Sequence, residues 1–400
     1  MTAHSALPVS LELQHFRVLV LRAPIEEPVR TAFGVMTDRP LVLLGITDRE
    51  GRCGWGEVWC NFPCCGAEHR ARLFSSEVVP LLSGKTFGHP RECFDYLNNA
   101  THLLVNQTGE DGPVAQVIAG VDIALWDLYA QVQSLSLFHA LDAELRGSSV
   151  DSVSIPRVPV YASGLNPAEP EKKVAQKLQY GYNAFKLKVG FDEQTDVRNA
   201  RVLRELLGPE KNLMVDANQA WSADSASKMV EQLGDYKPRW IEEPLPVDAP
   251  QQEWKKLAQL SPVALAGGEN LRGEGNFEAA IESGVFKFIQ PDVAKWGGVS
   301  GNLNVVRTVV ANGLTYCPHW LGGAIGLRAS SHLLAAVGGD GLLEVDANDN
   351  PLRDDLIELD HSSDSIDRTC WWQPQNAPGL GIILNMDTVE QYQVLDWESQ

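Results

Sequence analysis

Three acidic residues close three successive short apolar runs: Asp216 in Leu-Met-Val-Asp-Ala-Asn, Glu242 in Arg-Trp-Ile-Glu-Glu-Pro and Glu269 in Leu-Ala-Gly-Gly-Glu-Asn. They stand 26 and 27 residues apart, the length of one strand plus one helix. The beat extends both ways: Lys186 and Lys188 end the run before, and Asp292, His319 and Glu344 end the runs after. Repeated βα units close into a parallel barrel whose active residues all sit at the strand ends on one face. Carboxylates distant in sequence therefore converge on one point, which reads as a divalent metal site flanked by two bases.

The chain has 400 residues, too many for one ordinary domain, so a barrel of about 250 residues plus a second domain is expected. The apolar fraction of 44% and charged fraction of 21% are those of a globular protein with a sizeable core. With 33 basic against 52 acidic residues, the net charge of −19 argues against nucleic acid or an anionic membrane as partner. A small anionic substrate is still compatible, because a cationic pocket can sit in an acidic protein. Seven cysteines without a paired pattern fit reduced thiols and a cytoplasmic setting. Cys60, Cys64 and Cys65 lie near His69, but no second pair stands at zinc spacing. No signal peptide and no apolar run long enough to span a membrane is evident.

Residues 1–10 read as frayed. Strands are expected at 11–22, 41–48 and 53–58, forming an antiparallel meander. The stretch 26–38, with Pro28 and Gly34, reads as a mobile loop, and 59–66 as a second, aromatic and Cys-rich loop. Helical periodicity follows at 67–83, 90–105 and 112–141; in the last, Val114, Val117, Ile118, Val121, Ala124, Leu125 and Leu128 form a core stripe. Residues 1–150 thus form an α+β domain. Residues 151–370 form the barrel, with strands at 158–163, 184–189, 212–217, 239–243, 263–268, 286–291, 314–318 and 341–345. Helices fall between them at 170–180, 193–207, 223–234, 250–260, 273–283, 300–312 and 326–337. Gly181, Gly284 and Gly313 precede strands as helix C-caps do. Residues 371–400 are expected to return to the first domain.

Asp216, Glu242 and Glu269 offer only oxygen, which suits Mg²⁺, with Mn²⁺ as a substitute, and disfavours zinc. Glu243 follows Glu242 directly, so strand alternation points it away. In Phe185-Lys186-Leu187-Lys188 both lysines share one face, and two adjacent ammonium groups are expected to depress each other's pKa until one can act as a base. Asp292 and His319, on neighbouring strands, form a carboxylate–imidazole dyad facing the lysines. Lys295 is placed outside the ring. Glu344 is a candidate hydrogen-bond or proton donor to a substrate carboxylate.

With these residues in place, the chain resembles the enolase superfamily, in its mandelate racemase-like subgroup. Lys186-Leu-Lys188, Val215-Asp216-Ala-Asn218, Trp240-Ile-Glu242-Glu-Pro, Gly268-Glu269-Asn and Pro291-Asp292 through Gly298 match in order and spacing, and Ala119-Gly-Val-Asp-Ile-Ala-Leu-Trp-Asp resembles a helix of the capping domain. The resemblance covers nearly all of the chain. It implies a modified (β/α)7β barrel, a TIM-barrel variant in the α/β class, with an N-terminal α+β capping domain. It implies Mg²⁺ on Asp216, Glu242 and Glu269, a carboxylate substrate, and Lys186 stabilising an enediolate; Lys188 and His319 would serve opposite substrate faces. Asp292, where the muconate-lactonising subgroup carries lysine, points to the racemase-like enzymes. Relatives of this kind are commonly dimers or octamers, so a homo-oligomer is expected.

Two opposed bases allow two outcomes. Abstraction by Lys188 with expulsion of a β-hydroxyl by protonated His319 dehydrates a sugar acid to a 2-keto-3-deoxy acid, the favoured reading. Reprotonation by His319 instead gives a racemase or epimerase of a small 2-hydroxy or amino acid. A barrel aldolase and a non-catalytic carboxylate-binding protein are remoter alternatives. Substrate contacts are expected from Lys186, Asn218 and Trp320, and from Glu26, Glu27, Arg30, Thr31, Asp38, Trp59, Asn61, Phe62 and His69 on the two loops. Trp296, Trp320 and Leu321 to Ala324 make the far side fairly apolar.

Overall fold

The structure is a computed structural model that describes residues 9–31, 34–147, 154–358 and 370–399. The expected domain boundary at 150 and most of the expected frayed start lie outside the described residues. The first unit is built on β1 (Leu11–Thr31), β2 (Gly34–Asp48) and β3 (Cys53–Val58), antiparallel in that order, with Leu19 opposite Leu43 and Val42 opposite Val58.

The stretch expected as a mobile loop is instead the outer half of a long β1–β2 hairpin. Val29 pairs with Met36 and Arg30 with Val35, and the register shifts between Pro24 and Val29. Pro28 has no N–H to give the ladder, so the sequence there lacks strand alternation although the arm forms and buries Val29 and Met36.

Helix α1 (Gly66–Leu73) runs through a π-turn at Phe74–Val78 into α2 (Val79–Leu82), and β4 (Thr86–Phe87) adds to β1. Next come α3 (Pro90–Thr108), α4 (Asp111–Val132) and α5 (Leu137–Arg146). The single helix expected over 112–141 is thus two: Ser134 turns to φ 56°, and Ser136 starts α5 by accepting from the His139 N–H. Gly54 and Gly56 let β3 approach α4 closely; a Cβ on Gly56 would stand 1.9 Å from the Gly120 carbonyl. Wedged between this sheet and the barrel, α4 is buried on nearly every side, which explains a composition apolar enough for a membrane span.

Eight parallel strands follow: β5 (Val158–Leu165), β6 (Ala184–Lys188), β7 (Asn212–Asp216), β8 (Ile241–Glu242), β9 (Leu265–Gly267), β10 (Phe286–Ile289), β11 (Thr315–Tyr316) and β12 (Leu343–Asp346). Neighbours run β11-β10-β9-β8-β7-β6-β5-β12. Seven helices alternate with them: α6 (Pro170–Gln179), α7 (Glu193–Leu207), α8 (Ala223–Gly234), α9 (Gln251–Leu260), α10 (Glu274–Glu282), α11 (Gly298–Ala311) and α12 (Ala324–Val337). No ladder joins β11 to β12 among the described residues; Leu342 N–H donates to Cys317 Sγ at 3.4 Å across that seam.

One side chain from each strand fills the barrel floor: Tyr161, Ala184, Met214, Trp240, Ala266, Phe288, Cys317 and Leu342. Trp240 packs on Phe288 with ring centroids 4.9 Å apart and on Tyr161 at 5.6 Å. Because the pleat repeats every two residues, the next inward layer is Ser163, Lys186, Asp216, Glu242, Gly268, Gln290, His319 and Glu344.

After α13 (Pro351–Asp354), β13 (Trp371–Trp372) pairs with β5. Then α14 (Met386–Tyr392) leads to β14 (Gln393–Glu398), which pairs antiparallel with β1, Val18 opposite Trp397. Charged side chains cross the seam between the two units. Arg39 pairs with Asp346 at 2.6 Å. Glu57 of β3 accepts from the Gly323 and Gly326 N–H groups at 2.5 and 3.0 Å, and Asp122 of α4 accepts from Ser300 N–H at 2.8 Å.

Burial, opposed by these N–H groups, pushes Glu57 from the ordinary 4.5 up to about 7. Asp122 likewise rises from 3.8 to about 7. A carboxyl whose pKa is higher in the fold than in the unfolded chain stabilises the fold while protonated. That contribution is full below about pH 4 and is lost as pH rises through about 7. Urea midpoints of the wild type should therefore fall across this window. Glu57→Gln should flatten its share of the slope, on the order of 3 kcal/mol; an unchanged slope would show that Glu57 titrates normally.

Candidate active site

The layer above the barrel floor carries a dense set of buried charges. Lys186 Nζ donates to Glu242 Oε1 at 2.6 Å, lies 2.8 Å from Glu344 Oε1 and 3.6 Å from Asp216 Oδ2, and sits over the Tyr161 ring. Two residues further out, Lys188 Nζ donates to Asp216 Oδ2 at 2.6 Å and to Asn218 Oδ1 at 2.8 Å. Asn218, at φ 43°, also donates its own N–H to Asp216 Oδ1 at 2.9 Å. It thereby holds both Lys188 and Asp216.

Glu242 Oε2 accepts from Trp240 Nε1 at 2.9 Å and Gln290 Nε2 at 2.6 Å. His319 Nδ1 lies 2.7 Å from Asp292 Oδ2, and its Nε2 lies 2.6 Å from Glu269 Oε2. Asp292 Oδ1 accepts from the Ala294 and Lys295 N–H groups, turning the loop back on itself. That turn brings Lys295 into the site, against expectation: its Nζ donates to Glu269 Oε1 at 3.0 Å and Asn270 Oδ1 at 3.2 Å, and lies 5.0 Å from the Trp59 ring centroid. Glu344 accepts from Ser163 Oγ and from the Trp320 N–H at 3.2 Å.

Glu243 points out of the ring and is held by Asn270 Nδ2 at 2.8 Å. Trp320 is also turned away: its indole donates to Gly323 O at 3.0 Å and packs where a side chain on Gly326 would sit, so the ring belongs to the core and only the backbone N–H reaches the site. Of the loop residues, Trp59 reaches Lys295, and Asn61 donates to Leu321 O at 2.7 Å. Others are engaged elsewhere. Asp38 pairs with Arg22, Glu27 lies 3.8 Å from Lys173, and His69 pairs with Glu110. Phe62 packs close to Gly34 at the hairpin end. Among the described residues no disulfide joins two cysteines.

The electrostatics reverse one expectation. Burial favours a neutral Lys188, but Asp216, with Glu269 and Glu242 behind it, outweighs both burial and Lys186, and the Lys188 pKa is raised. Lys186 behaves in the same way beside Glu242 and Glu344. Burial opposes charge on His319, yet Glu269, Glu344 and Asp292 raise it to about 10. Glu269 is held well below the usual range despite burial, chiefly by His319 and Lys295. Glu344 is lowered against burial by Lys186 and His319. Glu242 moves the other way: burial and the Asp216 charge push it up to about 7.

Among the described residues no three acidic or imidazole groups converge as they stand on a single ion; ammonium groups lie between them. The donor set nevertheless fits a hard divalent cation. Asp216, Glu242 and Glu269 end the adjacent strands β7, β8 and β9 and offer only oxygen. Glu269 Oε2 is buried without a well-aligned hydrogen bond. The mutual repulsion that raises Glu242 is what added positive charge would offset.

Comparison with known proteins agrees with this architecture. A family model described as enolase C-terminal domain-like matches residues 170–388, and one described as mandelate racemase / muconate lactonizing enzyme, N-terminal domain, matches residues 15–141. The chain belongs to the enolase superfamily, among the mandelate racemase / muconate lactonizing enzymes. The crystal structure of a mandelate racemase/muconate lactonizing enzyme from Bordetella bronchiseptica RB50 is 47% identical, with a TM-score of 0.86 over 96% of this chain and 99% of that one. An enolase from Bradyrhizobium, complexed with magnesium and mandelic acid, is 27% identical, with a TM-score of 0.79 over 97% and 100%. Two curated relatives are sugar-acid enzymes. The 3,6-anhydro-alpha-L-galactonate cycloisomerase of Streptomyces coelicolor is 30% identical over 77% of this chain and 82% of its own. The L-talarate/galactarate dehydratase of Salmonella typhimurium is 33% identical over 63% and 61%.

Asn218→Ala should release Lys188 while its backbone N–H stays on Asp216. Proton abstraction should slow by about 10- to 100-fold, with Mg²⁺ affinity by calorimetry little changed. A parallel loss of metal binding would make Asn218 a part of the metal cradle instead.

Proposed function

We propose that this protein removes the α-proton of a small 2-hydroxy carboxylate substrate and, when a second hydroxyl stands on the β-carbon, expels that one as water to leave an enol that becomes a 2-keto-3-deoxy acid. The supporting observation is the order of groups around the barrel. Asp216 and Glu242 end β7 and β8 and Glu269 follows β9, with Lys188 on β6 at one flank and the Asp292–His319 pair beyond β10 and β11 on the other. The sugar-acid chemistry of the named relatives supports the substrate class.

Mg²⁺ held by Asp216, Glu242 and Glu269 would supply the positive charge that offsets these carboxylates and the negative oxygens of the enediolate. Freed from its pairing with Asp216, Lys188 takes the α-proton through its neutral amine. Lys186, set between Glu242 and Glu344, holds its ammonium against the substrate carboxylate. His319, oriented through Nδ1 by Asp292, gives an Nε2 proton to the departing hydroxyl. The enol then tautomerises to the ketone. If His319 instead returns a proton to the α-carbon, the same groups racemise the substrate, a reading favoured by the mandelic acid bound in the Bradyrhizobium relative.

The test is proton NMR in D₂O with Mg²⁺ and a panel of aldonic, aldaric, anhydro and small 2-hydroxy acids. A 2-keto acid deuterated beside the ketone is the expected result. Loss of the α-proton signal without a ketone identifies racemisation, and ring opening of an anhydro or lactone acid identifies a cycloisomerase. No exchange with any acid would overturn the proposal. Lys188→Ala and His319→Asn should each cut turnover by about 10²- to 10⁴-fold with Mg²⁺ binding retained, whereas Glu242→Ala should weaken Mg²⁺ binding itself.

A further inference from the structure

Helices α7 and α8 begin with their own caps, Asp192 and Ser222, whose side chains accept the first free N–H groups. The two helices that follow the dyad strands have none, nor do α6, α9 and α10. Helix α11 starts after Gly297 and α12 after Gly323, and neither glycine offers a cap. Their free N–H groups are taken by the other unit of the molecule: Asp122 of α4 at Ser300, and Glu57 of β3 at Gly323 and Gly326. Both carboxylates are almost wholly buried, at 1% and 2% exposure. The fit admits only glycine opposite Asp122, since a Cβ on Gly298 would stand 2.4 Å from its Oδ2.

These contacts sit one short loop from the dyad. Asp292 is separated from α11 by residues 293–297, and His319 from α12 by 320–323. Neither loop has slack. Asn302 Nδ2 holds Trp296 O and Gly298 O. Trp320 is tied to Glu344 and Gly323, and Leu321 O accepts from Asn61. The strand below His319 is short: β11 has two residues and among the described residues is laddered to β10 alone, with the Cys317 and His319 N–H groups donating beyond it to Ile289 O and Pro291 O at 3.0 and 3.2 Å.

We propose that Glu57 and Asp122 are positioning residues for the Asp292–His319 dyad, so that docking of the N-terminal unit and alignment of the acid–base pair are one event. This rests on the reading of His319 as a proton-transfer group given above. Asp127 serves as an internal control: it is an equally buried carboxylate of α4, but it accepts from Trp55 and Leu380 N–H groups, away from either dyad loop.

The first readout needs no substrate. The Nδ1–H resonance of His319, hydrogen-bonded to Asp292, is assigned by its loss in His319→Asn. It should shift or broaden in Glu57→Gln and Asp122→Asn and stay in place in Asp127→Asn, even though all three lower the urea midpoint. If Glu57→Gln fails to fold, Glu57→Asp, which keeps the charge but shortens the reach, replaces it.

The second readout uses the Mg²⁺ enzyme and any acid that exchanges in D₂O. Exchange on the face served by His319 should fall by about 10- to 100-fold, and exchange on the Lys188 face should not. An unmoved His319 resonance, or equal loss on both faces, overturns the proposal. A His319 resonance that responds while no acid exchanges even with wild type upholds the positioning and rejects the proposed function instead.

Discussion

The two-residue pleat of eight parallel strands is the constraint on which the rest depends. It sets an apolar floor running from Tyr161 to Leu342, and two residues outward it must present another side chain from every strand to the same closed space. In this chain that second layer is mostly charged, with Lys186, Asp216, Glu242, His319 and Glu344 almost fully buried. Such a layer survives only because each charge finds an opposite within hydrogen-bonding distance. The floor beneath it, dominated by Trp240 against Phe288 and Tyr161, keeps water from entering from below.

Mutual neutralisation also explains why the lysines are held charged where sequence reasoning expected a depressed base. Two ammonium groups do repel, but each is closer to a carboxylate than the repulsion can outweigh. The base is latent: its pKa depends on how the acidic residues beside it are otherwise satisfied, and so do the states of His319 and Glu344.

The barrel was legible because strand ends repeat at an even interval and the intervening helices carry amphipathic stripes; α7 and α8 fall within the spans read from sequence. The layer of strand-end side chains followed directly from that register. What was not legible has physical causes. Pro24 and Pro28 hide the outer half of the β1–β2 hairpin by removing ladder donors. The apolar stripe runs on past Ser134, whose left-handed backbone ends α4. Lys295 reaches Glu269 only because Asp292 folds its own loop back, a side chain-to-backbone turn that no periodicity reports. Trp320 lies at the right place in sequence, but Gly322 and Gly326 open a slot that draws its ring into the core.

The pairing of β14 with β1 has a consequence for the order in which the molecule can assemble. Arg17 meets Asp396, 379 positions further along the chain, and the entire barrel lies between them. During synthesis the βα units can fold as they emerge, each against its predecessor, whereas the N-terminal sheet waits for its last strand until the barrel has been made. The barrel is thus an insertion within the sheet that covers it, and the sheet is sealed last.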